Sequence, residues 1–262
     1  MRAVDAFYYT DPLCARSWAA EPARRRLERE LGDTVVVHYV MGGLARAIER
    51  PTEQLEAWLD AAARSAMPVD PRLWLHSPPT TTYPSCLAVL AAGEQGLAGA
   101  YLRRAREAVA FERRPLDHRP ALLELARDVP GLAVAHFESS LASHAILEAF
   151  AADLERARAA PGLPRVEFRP ADGELVTLGA HELHEAEAWV RGARAAGAGD
   201  GAVAGPSGVE QALRAHHRLA TVEVAELCDL PGPRAAAELW RLASEWRVRA
   251  ERHLSGETWV LA

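Results

Sequence analysis

The stretch Val4-Asp5-Ala6-Phe7-Tyr8-Tyr9-Thr10-Asp11-Pro12-Leu13-Cys14-Ala15-Arg16-Ser17-Trp18 decides the fold. Ala3 to Tyr9 is apolar and aromatic and reads as a strand. Thr10-Asp11-Pro12-Leu13-Cys14 carries turn chemistry. From Ala15 to Leu31, Trp18, Leu27 and Leu31 recur among charges at helical spacing, and Gly32-Asp33 stops the helix. Thr34 to Met41 (TVVVHYVM) is β-branched and apolar, a buried strand ended by Gly42-Gly43. Strand, helix, strand is a βαβ opening, and a right-handed crossover makes its strands parallel. Cys14 therefore stands at a strand-to-helix junction.

Outward from that opening, helical segments alone follow: Leu55 to Ser65, Pro84 to about Gly96, Ala98 to Phe111, Pro120 to Arg127, Ala135 to Leu141 and His144 to Ala159. Sheet character returns at Arg165 to Arg169 and Glu174 to Leu178, joined by Pro170-Ala171-Asp172-Gly173 as a hairpin turn. Ala180 to Ala193 is helical. This order is that of an α/β thioredoxin fold with a large all-helical insertion. The expected units are a thioredoxin-fold domain (1–49 and 160–192), the insertion (50–159), a Gly/Ala-rich linker (193–208) and a small separate unit (209–262). In the last, helices over Val209 to Leu219, Val222 to Leu227 (Thr221 as N-cap) and Pro233 to Ala243 precede a hairpin of Arg247 to Arg252 and Glu257 to Leu261. That is the element order of a winged helix.

The chain has 262 residues and a formal net charge of -6, which does not favour a polyanionic partner. All 30 basic residues are arginine, so a Schiff-base or other catalytic lysine is excluded. No apolar run reaches the length of a membrane span, and the N-terminus reads as a strand rather than a signal peptide. The expected location is the cytoplasm, with no membrane partner. Three widely spaced cysteines do not form a disulfide framework.

A helix N-terminus offers unpaired N–H groups and partial positive charge, both of which stabilise a thiolate. Cys14 is thus expected to have a lowered pKa and to act as a nucleophile, with Arg16 as a nearby cation. A dithiol site would carry its resolving cysteine three places on. Ser17 stands there, able to donate a hydrogen bond to Cys14 but unable to form a disulfide. Cys86 could resolve a mixed disulfide only if the fold brought it to Cys14.

Asp11-Pro12-Leu13-Cys14-Ala15-Arg16-Ser17-Trp18 with Glu21-Pro22 resembles the D-P-x-C-x-x-C-W…E-P signature of cytoplasmic DsbA-like proteins, a group that includes FrnE-like proteins and a ClpXP adaptor. Tyr39-Val40-Met41-Gly42-Gly43-Leu44, Ser77-Pro78-Pro79 and Tyr83-Pro84-Ser85-Cys86 are similar to the same group, over most of residues 3 to 192. The resemblance implies a cis-proline at Leu163-Pro164, lying against Cys14 and shaping a substrate edge, with Arg16, Trp18 and Tyr83 also at the substrate. It implies thiol–disulfide chemistry on a protein or small thiol, with glutathione or another low-molecular-weight thiol as co-substrate and no tightly bound cofactor. Ser17 departs from the signature and argues against simple oxidation. A non-catalytic adaptor and a glutathione-dependent small-molecule isomerase are the competing readings.

His181 and His184 stand one helical turn apart, yet no cysteine is close in sequence, and no metal site is expected. Residues 209–262 hold seven Arg against eight Asp and Glu. That lacks the basic footprint of a DNA-binding module, so a protein partner or dimer contact is expected there and nucleic acid is not.

Overall fold

The computed structural model describes residues 3–159, 162–170, 174–199 and 208–262. β1 (Val4–Thr10), β2 (Val35–Met41), β3 (Arg165–Arg169) and β4 (Val176–Leu178) form one sheet in the order β2-β1-β3-β4. β1 runs parallel to β2, from Val4↔Val35 to Thr10↔Met41, and antiparallel to β3, ending at Tyr9↔Arg165. β3 and β4 are antiparallel, as a hairpin requires; turn residues 171–173 lie outside the described residues.

The helix expected over Ala15 to Leu31 is two, α1 (Ala15–Ala19) and α2 (Glu21–Leu31). Pro22 has no N–H to give, and its ring crowds the carbonyl four residues back. The insertion follows as α3 (Pro51–Ser65), α4 (Leu73–His76), α5 (Tyr83–Gly93), α6 (Ala98–Ala110), α7 (Arg119–Arg127), α8 (Val134–Leu141) and α9 (His144–Arg158). Its core gathers Trp58, Trp74, Tyr101 and Phe137 together with Leu13 and Trp18, so the Cys14 corner is built into the insertion rather than beneath it. α10 (Ala186–Ala195) packs with α2 over a second core of Tyr8, Leu27, Phe168 and Trp189.

Two expectations change here. The helix begins at Ala186, not Ala180; residues 180–185 are turns. The stretch read as linker from 193 instead continues α10 to Ala195 and buries Ala196 and Ala198 in the second core. Residues 200–207 of that stretch lie outside the described residues.

The C-terminal unit comprises α11 (Val209–His216), β5 (Leu219–Ala220), α12 (Thr221–Leu227), α13 (Arg234–Ser244), β6 (Val248–Arg252) and β7 (Glu257–Leu261), with sheet order β5-β7-β6. The two-residue β5 is too short to show a pattern in sequence. Thr221 is not the N-cap. Ala220 is, and its N–H donates to the Glu223 carboxylate at 2.9 Å, while the Thr221 hydroxyl accepts from Trp259 Nε1. Leu213, Val224, Leu239 and Trp259 give the unit its own core. It is nonetheless docked on the rest of the chain. Val69 and Ser255 exchange backbone bonds of 3.2 and 3.0 Å, and Phe111 stacks on His253 with centroids 4.1 Å apart.

Candidate active site

β1 ends at Thr10, and Asp11 to Leu13 carry the chain to Cys14, the N-cap of α1. The corner is held by Asp11, whose fully buried carboxylate accepts four bonds. Leu13 N–H donates to Oδ1 at 2.8 Å; Leu44 N–H and Thr82 Oγ1 donate to Oδ2, both at 2.7 Å, and Cys86 Sγ at 3.3 Å. One side chain therefore ties the end of β1, the loop after β2 and α5. Burial still raises the Asp11 pKa, against the lowering effect of these donors.

Cys14 is 4% exposed. Burial pushes its thiol up from the ordinary value; the Ser17 hydroxyl and backbone N–H pull it down, Asp11 pushes it up, and Arg106 pulls it down. The net direction is upward, opposite to that expected from the helix N-terminus alone. α1 has only five residues, and desolvation of a thiolate outweighs the end of so short a helix. Ser17 is fully buried and accepts a 2.7 Å bond from Thr10 Oγ1.

Leu163–Pro164 is cis, as expected. The register Tyr9↔Arg165 sets this pair beside the end of β1 from which the corner departs. The Leu163 side chain fills the space that a Cβ on Gly42 would need. Gly43 (φ +57°) likewise leaves room for Tyr83 and Phe150, where a Cβ would meet ring carbons at 3.0 and 3.2 Å.

The other expected site residues divide. Arg16 is exposed and makes no ion pair among the described residues, and it is not among the charges that act on the Cys14 thiol. Trp18 is not at a substrate surface: it is fully buried, donates to Pro68 O at 3.0 Å and lies under Arg103 at 4.8 Å. Its place one turn after Cys14 points it into the insertion core. Tyr83 is half-buried at the start of α5, edge-on to Phe150 with centroids 5.0 Å apart. Cys86 is drawn to the corner but donates its S–H to Asp11, and burial lifts its thiol well above the ordinary range. It is a strut of the corner and not a poised resolving thiol. His181 and His184 are exposed on turns, and no group of three or more metal-ligating side chains occurs among the described residues.

Sequence reasoning missed the charges beneath the corner. Glu21, from α2, pairs with Arg106 of α6, with Arg24 at 3.2 Å and with Arg103 at 3.4 Å. Glu223, from α12, binds Arg103 at 2.6 Å and Arg25 at 3.2 Å. All are spread over more than 200 residues of sequence, and arginines on amphipathic helices read as solvent-facing. A cleft of about 760 Å³ opens over this network, lined by Arg24, Tyr39, Arg103, His216, His217 and Arg218 among others, and not over Cys14.

A family model described as thioredoxin matches residues 7–160. The chain belongs to the thioredoxin family. Within it the relatives are DsbA-like. The ClpXP adapter protein SpxH of Halalkalibacterium halodurans is 28% identical over 164 residues, 58% of this chain and 53% of that protein. The chain thus spans about half the length of the curated relatives it matches. The cytosolic disulfide reductase DsbM of Pseudomonas aeruginosa is 25% identical, with a TM-score of 0.59, over 71% of this chain and 94% of that one. A second structure of DsbM, with GSH, aligns at 24% identity and a TM-score of 0.58 over 71% of this chain and 95% of that one. No helix among the described residues is long and apolar enough to cross a membrane.

Proposed function

We propose that this chain is a cytoplasmic monothiol disulfide-exchange protein working in the reducing direction, with glutathione as co-substrate. The observation that carries the reading is a single cysteine at the N-cap of α1 with a serine hydroxyl where a second thiol would stand. The thiolate of Cys14 attacks one sulfur of a disulfide R–S–S–R′, forming Cys14–S–S–R and releasing R′S⁻. A glutathione thiolate then attacks the R sulfur and Cys14 leaves as thiolate, giving glutathione–S–S–R. No internal thiol competes for the second step, because Cys86 is committed to Asp11. The raised thiol pKa fits this direction. Sites that stabilise the thiolate are the oxidising ones, and a high-pKa cysteine is a slow leaving group. The similarity to DsbM, a cytosolic disulfide reductase with a structure containing GSH, supports the reading; Leu163–Pro164 and Arg16 supply the substrate edge.

The test is incubation with oxidised glutathione followed by peptide mass spectrometry. A glutathione adduct on Cys14, absent in Cys14→Ser and discharged by reduced glutathione, is the expected result. No adduct at Cys14 in folded protein would overturn it. The adaptor reading has its own observation, the SpxH relatives. It predicts that Cys14→Ser leaves binding of a captured partner unchanged.

A further inference from the structure

Resting on the exchange reading, we infer that Arg106, contributed by the helical insertion, is a positioning residue that sets the direction of a hydrogen-bond chain ending on the Cys14 sulfur. Arg106 is 1% exposed and lies on α6, yet its guanidinium reaches under the sheet to the corner. Nη1 binds Glu21, and Nη2 donates to Thr10 Oγ1 at 2.5 Å. Thr10 Oγ1 lies 2.7 Å from Ser17 Oγ.

The first donor sets the polarity of this chain at Thr10. A guanidinium has donors and no acceptor, so the Thr10 oxygen must accept from it. The Thr10 hydroxyl, its oxygen held by that cation, donates its own hydrogen to Ser17 Oγ. The Ser17 hydrogen then has two acceptors to serve, the Tyr8 hydroxyl and the Cys14 sulfur, on both of which Ser17 acts; the sulfur is the stronger acceptor of the two when it is a thiolate. Each donated bond polarises the next, so the cation's charge is felt at the end of the chain. Without Arg106, Thr10 and Ser17 could each rotate, and Ser17 could point its hydrogen back toward Thr10.

Two further groups mark the spot as arranged for negative charge. Arg106 Nε and the Tyr8 hydroxyl are both buried without a hydrogen-bond partner among the described residues. The guanidinium lies 5.5 Å from the Tyr8 ring centroid. Buried donors are rarely left unpaired in a native core. The charged and titratable groups that act on Cys14 are Asp11 from the corner itself, Tyr8 from β1 and Arg106 from α6, with Glu21 of α2 behind Arg106 and Cys86 behind Asp11. Among these, Arg106 is the buried cation.

The experiment follows the rate of Cys14 alkylation against pH, read by peptide mass spectrometry so that Cys86 and Cys228 do not contribute. Arg106→Met moves the midpoint up by half a pH unit or more, about a threefold loss of thiolate at fixed pH. Arg106→Lys keeps part of the wild-type position. Thr10→Val, which breaks the chain but keeps the cation, also moves it up. Glu21→Gln, which removes the carboxylate competing for the guanidinium, moves it down. Opposite signs for neighbours in one network are not produced by loosened packing, and near-UV circular dichroism reports whether each variant is folded. Superimposable profiles for wild type and folded Arg106→Met overturn the inference; if Arg106→Met does not fold, an unmoved Thr10→Val profile does so. A wild-type protein that gives these shifts but no glutathione adduct overturns the exchange reading and leaves the role of Arg106 standing.

Discussion

Truncating Glu223 tests how the C-terminal unit is held. The carboxylate is fully buried and accepts from Arg103 at 2.6 and 2.8 Å, from Arg25 at 3.2 Å and from the Ala220 N–H at 2.9 Å. Glu223→Ala leaves two desolvated guanidiniums facing a void and an N-terminal amide of α12 uncapped. Removing one partner of a buried ion pair costs roughly 3–5 kcal/mol, because the remaining charge stays buried. In a chain of this size that lowers the melting temperature by about 10 °C, at roughly 2–4 °C per kcal/mol. The control is Glu238→Ala, which removes an exposed partner of Arg241 on α13 and changes stability by less than about 1 kcal/mol. The assay is thermal unfolding followed by tryptophan fluorescence. A Glu223→Ala loss no larger than that of Glu238→Ala would refute the reasoning, since the network would then contribute nothing that water does not replace.

The same network sets an acid limit. Burial alone would raise Glu223, but Arg103 and Arg25 outweigh it and hold its carboxyl below the usual range; burial is likewise outweighed at Glu28, which the His216 bond and Arg25 bring down to about 2. These folded-state values lie below the unfolded one, so their stabilisation is complete above about pH 5 and is lost as pH falls toward 2, visible as a falling urea midpoint. Asp11→Asn removes a negative charge that disfavours the Cys14 thiolate, so the alkylation midpoint of Cys14 moves to lower pH, while Asp11→Ala leaves four donors unsatisfied and gives no folded protein by circular dichroism. Ser17→Cys supplies the missing second thiol one turn along α1, so the glutathione adduct on Cys14 gives way to an internal disulfide, read as peptides cross-linked between positions 14 and 17.

What the sequence showed best was local. The periodicity of Ala98 to Phe111 is α6 within one residue, and His144 to Ala159 is α9, because apolar spacing and capping residues act within a few turns. The βαβ opening and the β3–β4 pair follow from the same kind of signal. The cis peptide at Pro164 was legible only through family resemblance. What escaped was long-range and polar. Arg106 looks like one more surface arginine in YLRRAREAVA, and nothing local says that Glu21, 85 residues earlier, waits for it. Cys86 and Asp11 are 75 residues apart, so the carboxylate that binds this thiol is not legible locally, and Cys86 reads only as a resolving group conditional on the fold. Trp18 reads as a substrate contact through the resemblance that carries the corner motif, whereas the insertion core that swallows it is assembled mainly from residues 58 to 150. The Gly/Ala-rich start of the presumed linker is equally instructive: Ala196 and Ala198 are small enough to pack against the sheet, and composition alone cannot distinguish that from flexibility.

On the proposed exchange reading, the direction of exchange follows from one asymmetry at Cys14. Burial penalises the thiolate but not the thiol or the mixed disulfide, both of which are neutral at the sulfur. A site that stabilises the thiolate makes its reduced form the favoured one and so oxidises its substrates; here that stabilisation is spent against desolvation, and the net shift is upward. With Ser17 in place of a second thiol, the mixed disulfide has no internal exit and, with a poor leaving group, waits for an external thiol. On that reading, both features act together to hold a partner on Cys14. The proposed Arg106 chain would work the other way, easing Cys14 out as thiolate when that thiol arrives. The lifetime of such an adduct would then be set jointly by the corner, which buries the sulfur, and by the insertion, which supplies the cation beneath it.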